Sequence, residues 1–323
     1  MRPKSVRHSV DILMLWVCPA MLLLSLVIGL LTQNDTDYVR IVAWQALFVE
    51  LLLIYVPAQR FIDKHGGKAA FGLVPVGFSE IMWAAMFGAG ACLVAAVINS
   101  LTQYALAAFH VDLMQLLPAQ PPVTGWRVYA MLLLLAVIPA FAEETMFRGA
   151  LLHAWAKDGT KRALWHSAVL FSLIHLQPNA LPSLIFLGLS LGIVTLATGS
   201  VYPAMIVHGV NNLISLLLTN AAGAENANSD LAPLSQALPS LGIFLFIGLV
   251  VGIPSYYALR FFSRRRRERI AASGQASAVT PLEEPAIESR TGAAVYFTYA
   301  ILILLNVVVI ASLFVKMPWV SSI

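Results

Sequence analysis

The chain has 323 residues, of which 59% are hydrophobic and only 11% charged, and its formal net charge at pH 7 is +4. A soluble globular domain has about 25% charged residues, so this composition excludes a soluble globular protein and indicates one embedded in a membrane. The positive excess lies mostly in the run 264–267, which is typical of a loop beside a membrane and does not indicate a nucleic-acid-binding surface.

The apolar segments predict an all-α fold, a polytopic transmembrane helical bundle of about 8–9 spans. Nine segments are candidate spans, and in chain order they are 12–31, 41–56, 81–109, 128–156, 162–176, 180–197, 201–218, 241–257 and 293–315. A complete crossing needs about 20 residues, so the fifth segment is short for one. Short or part-depth helices are typical of bundles that a polar cavity enters.

Basic residues alternate between the loops as the positive-inside rule requires. Lys and Arg occur in the N-terminal tail and in segments 60–68, 157–162 and 260–290, whereas segments 110–126 and 220–240 have none. This alternation predicts a cytoplasmic N-terminus and an external C-terminus. Segment 271–288 is rich in Ala, Ser, Glu and Pro, which predicts a flexible cytoplasmic linker.

Two adjacent carboxylates, Glu143 and Glu144, lie in an apolar segment, where ionisable side chains are costly and therefore indicate function. Arg148 follows Glu144 by four residues, so these two side chains share a helical face and can pair. Glu143 points about 100° away around the helix and has no cation on its own helix. An unpaired buried carboxylate suits a general base, whereas an ion-paired helix end at the membrane surface is the structural alternative.

Two further segments place histidines in apolar surroundings. His175 follows Phe171 by four residues, and His208 precedes Asn212 by four, so each pair lies on one helical face. A lone histidine near a helix end is more often a structural residue, and the second pair equally fits a polar clamp between helices. With a rise of about 1.5 Å per residue, Glu143 and both histidines reach a similar depth in the membrane if the helices tilt somewhat.

Two smaller predictions complete the survey of polar residues within the spans. Gly209, between His208 and Asn212, predicts a close helix contact, since small residues let helix backbones approach. Glu50, in the second span, has no evident partner in the sequence. We interpret it as a hydrogen-bonding residue between helices that is protonated or faces a cavity.

These residues resemble the motifs of a known family. The run 143–148 resembles the motif of two glutamates, three residues and an arginine of the CPBP family of intramembrane endopeptidases, which includes CAAX prenyl protease type II-like and bacteriocin-processing Abi proteins. Phe171 with His175 resembles the second motif of that family, and His208 with Asn212 resembles the last. The order and the spacing of the three motifs also fit.

The resemblance extends over residues 131–218 and implies an intramembrane endopeptidase. It implies four catalytic residues, which are Glu143, His175, His208 and Asn212. The glutamate would activate water with help from the first histidine, and the second histidine and the asparagine would stabilise the oxyanion of the tetrahedral intermediate. Glu144 and Arg148 would hold the shape of the site. Family members often have eight spans or fewer, so the ninth segment is a departure.

The resemblance leaves the cofactor open, because the family has also been regarded as metalloproteases. Glu143, His175 and His208 would supply one carboxylate and two imidazoles, a set that catalytic zinc uses. The sequence has no HExxH helix, and Asn212 is a poor zinc ligand but a good oxyanion donor. We therefore favour a glutamate mechanism without metal, with zinc as the alternative.

The expected organisation has three parts: N-terminal transmembrane helices at 1–125, a CPBP-like catalytic core at 126–220, and C-terminal helices with a basic cytoplasmic linker at 221–323. The expected partners are the lipid bilayer and a peptide or protein substrate, lipidated or not, without nucleic acid. The resemblance favours an integral protein of the bacterial inner (cytoplasmic) membrane. Two other functions remain open: a transporter or proton relay, and a non-catalytic scaffold or immunity protein.

Overall fold

The computed structural model describes residues 6–109, 123–156, 159–222, 232–273 and 293–316, and all the regular structure within these residues is helical. Nine long helices follow one another along the chain: α1 (Val6–Leu31), α2 (Tyr38–His65), α3 (Phe78–Ala108), α4 (Trp126–Ala156), α5 (Thr160–Leu173), α6 (Leu181–Thr198), α7 (Tyr202–Ala222), α8 (Leu234–Ala272) and α9 (Ala293–Lys316). A single-turn helix, Gly67–Ala70, lies between α2 and α3.

Each of the nine predicted segments coincides with one of these helices, and the predicted all-helical membrane bundle is confirmed. Within the described residues, seven helices are long and apolar enough to cross a membrane, namely α1 to α4 and α6 to α8. Helix α5 has 14 residues and is too short for a full crossing, as its predicted segment indicated, whereas α9 has 24 residues.

Helices α2 and α4 contain wide turns of π-helix, a feature that often marks functional sites. The π-helical segments are Gln45–Tyr55 in α2, and Leu132–Val137 and Thr145–Leu152 in α4. A proline follows the segment in α2 and the first segment in α4. Proline has no backbone N–H, so it interrupts the regular hydrogen-bond ladder where each α-helix resumes.

Helix α4 lies at the centre of the bundle, and its second half is buried on all sides. Every residue from 142 to 156 is buried, including Glu144 and Arg148. This half of α4 packs against α2, α5, α6 and α7. Helix α3 forms a second centre, packed against α6, α7 and α8. The helices that carry the predicted motifs therefore meet in the best-packed part of the molecule.

Helix α8 extends further than the sequence predicts. The predicted span ended at residue 257 and the arginine run was expected in a loop, yet the helix continues through all the arginines to Ala272. Most of the predicted linker, from residue 274 on, lies outside the described residues. The basic end of α8 is fixed to α3, because the buried Glu80 accepts hydrogen bonds from Ser263 Oγ (2.6 Å) and Arg266 Nε (3.1 Å).

Candidate active site

Glu144 and Arg148 form a buried ion pair one helical turn apart. Arg148 Nη1 donates to Glu144 Oε1 over 3.0 Å, and neither side chain is exposed at all. The spacing of four residues within α4 predicts this pair. Because the pair is sealed inside the bundle, the two side chains act as a fixed structural unit and neither is free to reach water.

Arg148 also connects α4 to two neighbouring helices. Its Nη2 donates to the backbone oxygen of Gly188 on α6 over 2.8 Å, and its guanidinium lies 4.4 Å from the ring centroid of Phe171 on α5. A guanidinium over an aromatic face is stabilised by the ring quadrupole, most strongly where water is excluded. One arginine therefore fixes the positions of three helices around the site.

His208, on α7, is hydrogen-bonded to the same carboxylate. Its Nδ1 lies 2.9 Å from Glu144 Oε1, and the histidine is 2% exposed. Glu144 is ionised in its pair with Arg148, so its oxygen accepts and Nδ1 of His208 carries the proton. The other ring nitrogen, Nε2, is then the one that can act on a bound molecule.

Glu143 faces His175, which comes from the turn that follows α5. His175 Nε2 lies 3.9 Å from Glu143 Oε2, too far for a direct hydrogen bond. His175 Nδ1 donates to the backbone oxygen of Phe171 over 2.6 Å. Because a carbonyl oxygen can only accept, the neutral ring presents the unprotonated Nε2 to the carboxylate.

The two pairs are joined by the ring of Phe171, which is fully buried. Its ring centroid lies 4.9 Å from that of His175 and 5.6 Å from that of His208, both in edge-to-face orientation. Arg148 lies against the same ring. The structure therefore brings Glu143, Glu144, Arg148 and both histidines to one place, with Phe171 packed between them.

The backbone beside His175 is strained. Helix α5 ends at Leu173, and the residue after His175, Leu176, has φ +49°, the only positive φ of a non-glycine residue in the described parts of the chain. A left-handed residue other than glycine costs about 1–2 kcal/mol. Such strain is concentrated at functional sites, and the sequence gives no signal for it because leucine does not favour this conformation.

Asn212 lies one turn after His208 on α7, but its amide is occupied by structural contacts. Its Nδ2 donates to the backbone oxygen of Leu135 on α4 over 3.1 Å, and its Oδ1 accepts from Asn211 Nδ2 over 3.2 Å. Pro139 has no N–H to offer the Leu135 carbonyl four residues earlier, so the asparagine supplies a donor at the helix defect. The proline in the sequence could have predicted this contact.

Glu50 lies closer to the site than the sequence indicates. It is in the π-helical segment of α2, which packs against the part of α4 that carries Glu143. Among the described residues, one carboxyl oxygen of Glu50 and one of Glu143 are buried without a hydrogen-bond partner. The sequence predicts Glu50 as a hydrogen-bonding residue, and the structure places it beside the unpaired acid.

The predicted zinc set does not fit the geometry. Within the described residues, no three His, Cys, Asp or Glu side chains are arranged so that they could hold a metal ion. Glu143, His175 and His208 therefore do not form one ligand set here.

Gly209 lies where α7 contacts α4, but the contact does not require a glycine. A Cβ added at Gly209 would meet Ala136 O at 3.7 Å and Ala140 Cβ at 3.8 Å, which are ordinary contacts. A close approach of two helix backbones that does depend on glycine lies elsewhere, where a Cβ on Gly90 of α3 would be 2.7 Å from the backbone of Gly252 on α8. The sequence alone does not show which of Gly90, Gly209 and Gly252 lies in a helix contact that requires glycine.

The comparisons with known proteins add one match. Residues 125–214 match the sequence model of the family described as type II CAAX prenyl endopeptidase Rce1-like. The searches of curated proteins and of solved structures found no match. The matched range contains every residue of the site described above except Glu50. Together with the membrane-spanning helices, the similarity of residues 125–214 to the Rce1-like type II CAAX prenyl endopeptidase family indicates an intramembrane protease.

Proposed function

We propose that the chain hydrolyses peptide bonds of a membrane-associated peptide or protein, with Glu143 as the base that activates water and His175 as its assistant. The observation that carries this proposal is the gap between Glu143 Oε2 and His175 Nε2. Both atoms are hydrogen-bond acceptors, and 3.9 Å separates them. A water molecule close to both could donate one proton to each, which holds and polarises it for attack on a carbonyl carbon.

The neighbouring carboxylate suits a different task. Glu144 is held by Arg148 Nη1 and His208 Nδ1, so it is unable to take a proton from water without breaking a buried ion pair. Glu143 has no such bond at Oε2. The division of the two adjacent acids into one base and one structural anion is therefore our assignment of their roles.

His208 is proposed to stabilise the oxyanion through Nε2. Its Nδ1 proton is bonded to Glu144, so Nε2 donates only when the ring carries a second proton. A charged donor next to a developing oxyanion in a dry site is worth roughly 3 kcal/mol. Asn212 would contribute the second N–H of its amide, since the first is bonded to Leu135.

The substrate is proposed from the family description and from the site's location. An Rce1-like CAAX prenyl endopeptidase domain suggests a substrate with a lipidated C-terminal segment. The site lies between helices α4, α5 and α7, so a scissile bond must reach it from the bilayer or its interface. We propose a glutamate mechanism that needs no metal. We also propose that the N-terminus is cytoplasmic, that the protein lies in the bacterial inner membrane, and that the chain has the three parts predicted from the sequence.

The proposed role of Glu143 is tested by Glu143→Gln in purified protein given a prenylated peptide that ends in a CAAX sequence. We expect cleavage to fall by at least about a hundredfold, because an amide cannot accept the water's proton. Helical content and thermal unfolding should stay near the wild-type values. Glu268→Gln, which removes an exposed carboxylate on α8, is the matched control and should cleave normally. Wild-type cleavage by Glu143→Gln would contradict the mechanism.

Metal dependence is tested by exhaustive chelation followed by elemental analysis and an activity assay. We expect the chelated protein to keep its full cleavage rate, because no three His, Cys, Asp or Glu side chains among the described residues are arranged to hold a metal ion. Readdition of zinc should bring no gain. If chelation abolished cleavage and zinc restored it, the zinc alternative would replace the glutamate mechanism.

A further inference from the structure

An apolar cavity of about 370 Å³ lies between α3, α6 and α8, outside the candidate active site. Its lining residues include Phe87 and Gly90 on α3, Ile193 on α6, and Ile253 and Tyr257 on α8. Ile193, Ile253 and Tyr257 are each at least 40% exposed, so the cavity opens to the outside of the bundle where lipid chains lie. Its volume is within the range of about 300–1,000 Å³ typical of sites for small ligands.

The helical face of α8 that lines this cavity continues as a basic face. Arg260 and Arg264 follow Ile253 by seven and eleven residues, and Arg267 follows Tyr256 by eleven, so all three return to the cavity side of a 3.6-residue helix. At about 1.5 Å per residue, Arg260 and Arg264 lie roughly 5–10 Å beyond Tyr257 along the helix. The apolar cavity lining and these three arginines therefore form one stripe along the same face of α8.

The basic end of the cavity is rigid but only partly neutralised. Arg267 Nη1 donates to the backbone oxygen of Ala197 at the end of α6 and lies among the like charges of Arg260, Arg264 and Arg266, with Glu80 as the opposite charge. Arg264 has an exposed carboxylate partner, Glu268, at 2.8 Å. Arg260 is exposed. An anion between Arg260, Arg264 and Arg267 would relieve this repulsion and gain charge-assisted hydrogen bonds.

We propose that this stripe binds one anionic glycerophospholipid of the surrounding bilayer, with an acyl chain in the cavity and the phosphate at Arg260 and Arg264. The chemistry of the stripe matches such a lipid in order and in spacing: an apolar tail site, then tyrosines at its edge, then cations. Guanidinium forks suit phosphate oxygens, and basic residues at a membrane surface attract anionic lipids. The site is independent of the proposed proteolysis.

The test measures lipid binding by native mass spectrometry of the full chain in neutral detergent. The probes are phosphatidylglycerol and phosphatidylcholine with identical acyl chains. We expect the wild type to retain phosphatidylglycerol in preference to phosphatidylcholine. In the Arg260→Gln/Arg264→Gln variant, the affinity for phosphatidylglycerol should fall about tenfold or more, while the weaker binding of phosphatidylcholine, whose phosphate is balanced by its own cation, should fall much less.

The matched control removes the same charge from the other side of the helix. Arg265 and Arg269 project away from the cavity stripe, so Arg265→Gln/Arg269→Gln should keep the wild-type preference. An equal loss in this control would show diffuse attraction only and would overturn the site. Equal retention of both lipids by the wild type would overturn it as well.

A second variant tests the position of the acyl chain. Ile253→Trp places a larger side chain at the open edge of the cavity and should lower the retention of both lipids without changing helical content. If both lipids bound to this variant as they bind to the wild type, the acyl chain would lie elsewhere and the proposed placement would be wrong.

Discussion

At the scale of single residues, the site is organised by how each polar group is already used. Arg148 is bonded to Glu144 and Gly188 and stacked on Phe171, whereas Glu143 Oε2 has no hydrogen-bond partner among the described residues. The spacing of four residues predicted the Glu144–Arg148 pair and the freedom of Glu143. It could not predict that His208 would bond Glu144, because the two residues lie on different helices and are 64 positions apart in the chain.

The first stability prediction concerns Arg148→Ala. It leaves the carboxylate of Glu144 buried without its cation, so we expect the free energy of unfolding to fall by about 3–5 kcal/mol. Arg148→Lys should recover little of this loss, because an ammonium cannot reach Glu144, bond Gly188 and stack on Phe171 at once. Thermal unfolding in detergent measures both variants.

The control for this prediction is the neighbouring acid. Glu143→Gln should unfold at nearly the wild-type temperature, since the oxygen it alters forms no hydrogen bond with the described residues. Equal destabilisation by Glu143→Gln and Arg148→Ala would mean that both acids are structural. The division of roles within the Glu143-Glu144 pair would then be wrong.

At the scale of helices, the sequence predicted which segments are helical but not how they are modified inside. Apolar runs locate all nine helices because lipid exposure and burial both demand apolar side chains. They do not reveal the wide turns in α2 and α4, which depend on packing as well as on the nearby prolines. They also missed the helical arginines of α8, because a polar helix end looks like a loop in a hydropathy pattern.

The turn after α5 is the element on which the position of His175 depends. Leu176 has φ +49°, which glycine adopts freely and β-branched residues resist. We expect Leu176→Gly to cleave substrate nearly as the wild type does. Leu176→Val should lower kcat by about tenfold to a hundredfold, because even a 1 Å displacement of a catalytic group is costly. Steady-state cleavage assays give both values.

The order of the two variants is informative in itself. If Leu176 mattered only through its half-buried side chain, glycine would be the more harmful replacement and valine the milder one. We expect the reverse order. Greater loss in Leu176→Gly than in Leu176→Val would show that side-chain packing, and not the backbone angle, positions His175.

At the scale of the whole molecule, the bundle has two centres, α4 with the motif residues and α3 with α6, α7 and α8. The first was foreseeable, since its charged residues stand out in apolar runs. The second was not, because Gly90 and Gly252 are ordinary glycines in sequence, and Glu80 lies at the edge of a span where acids are common. Contacts between distant helices decide both features, and one sequence does not display them.

The contact of α3 with α8 gives a prediction for the whole bundle. Gly90→Ala would place a methyl group 2.7 Å from the backbone of Gly252, so the two helices must separate. We expect the free energy of unfolding to fall by about 1–3 kcal/mol, as is typical of overpacking. Gly242→Ala, on α8 with no atom within 4 Å of the new methyl group, is the matched control and should not destabilise. Equal thermal unfolding of the two variants would contradict the close approach.

The two histidines of the site share one feature with a practical consequence. Each is held through Nδ1, His175 by the backbone of Phe171 and His208 by Glu144, which leaves Nε2 as the other ring nitrogen. In each ring, Nδ1 therefore holds the side chain in place and Nε2 remains for chemistry. An asparagine at either position places its amide where Nδ1 lies and can keep the anchoring contact, whereas a glutamine places its amide where Nε2 lies. A comparison of the two substitutions at each histidine would therefore separate the structural contribution of the ring from its chemical contribution.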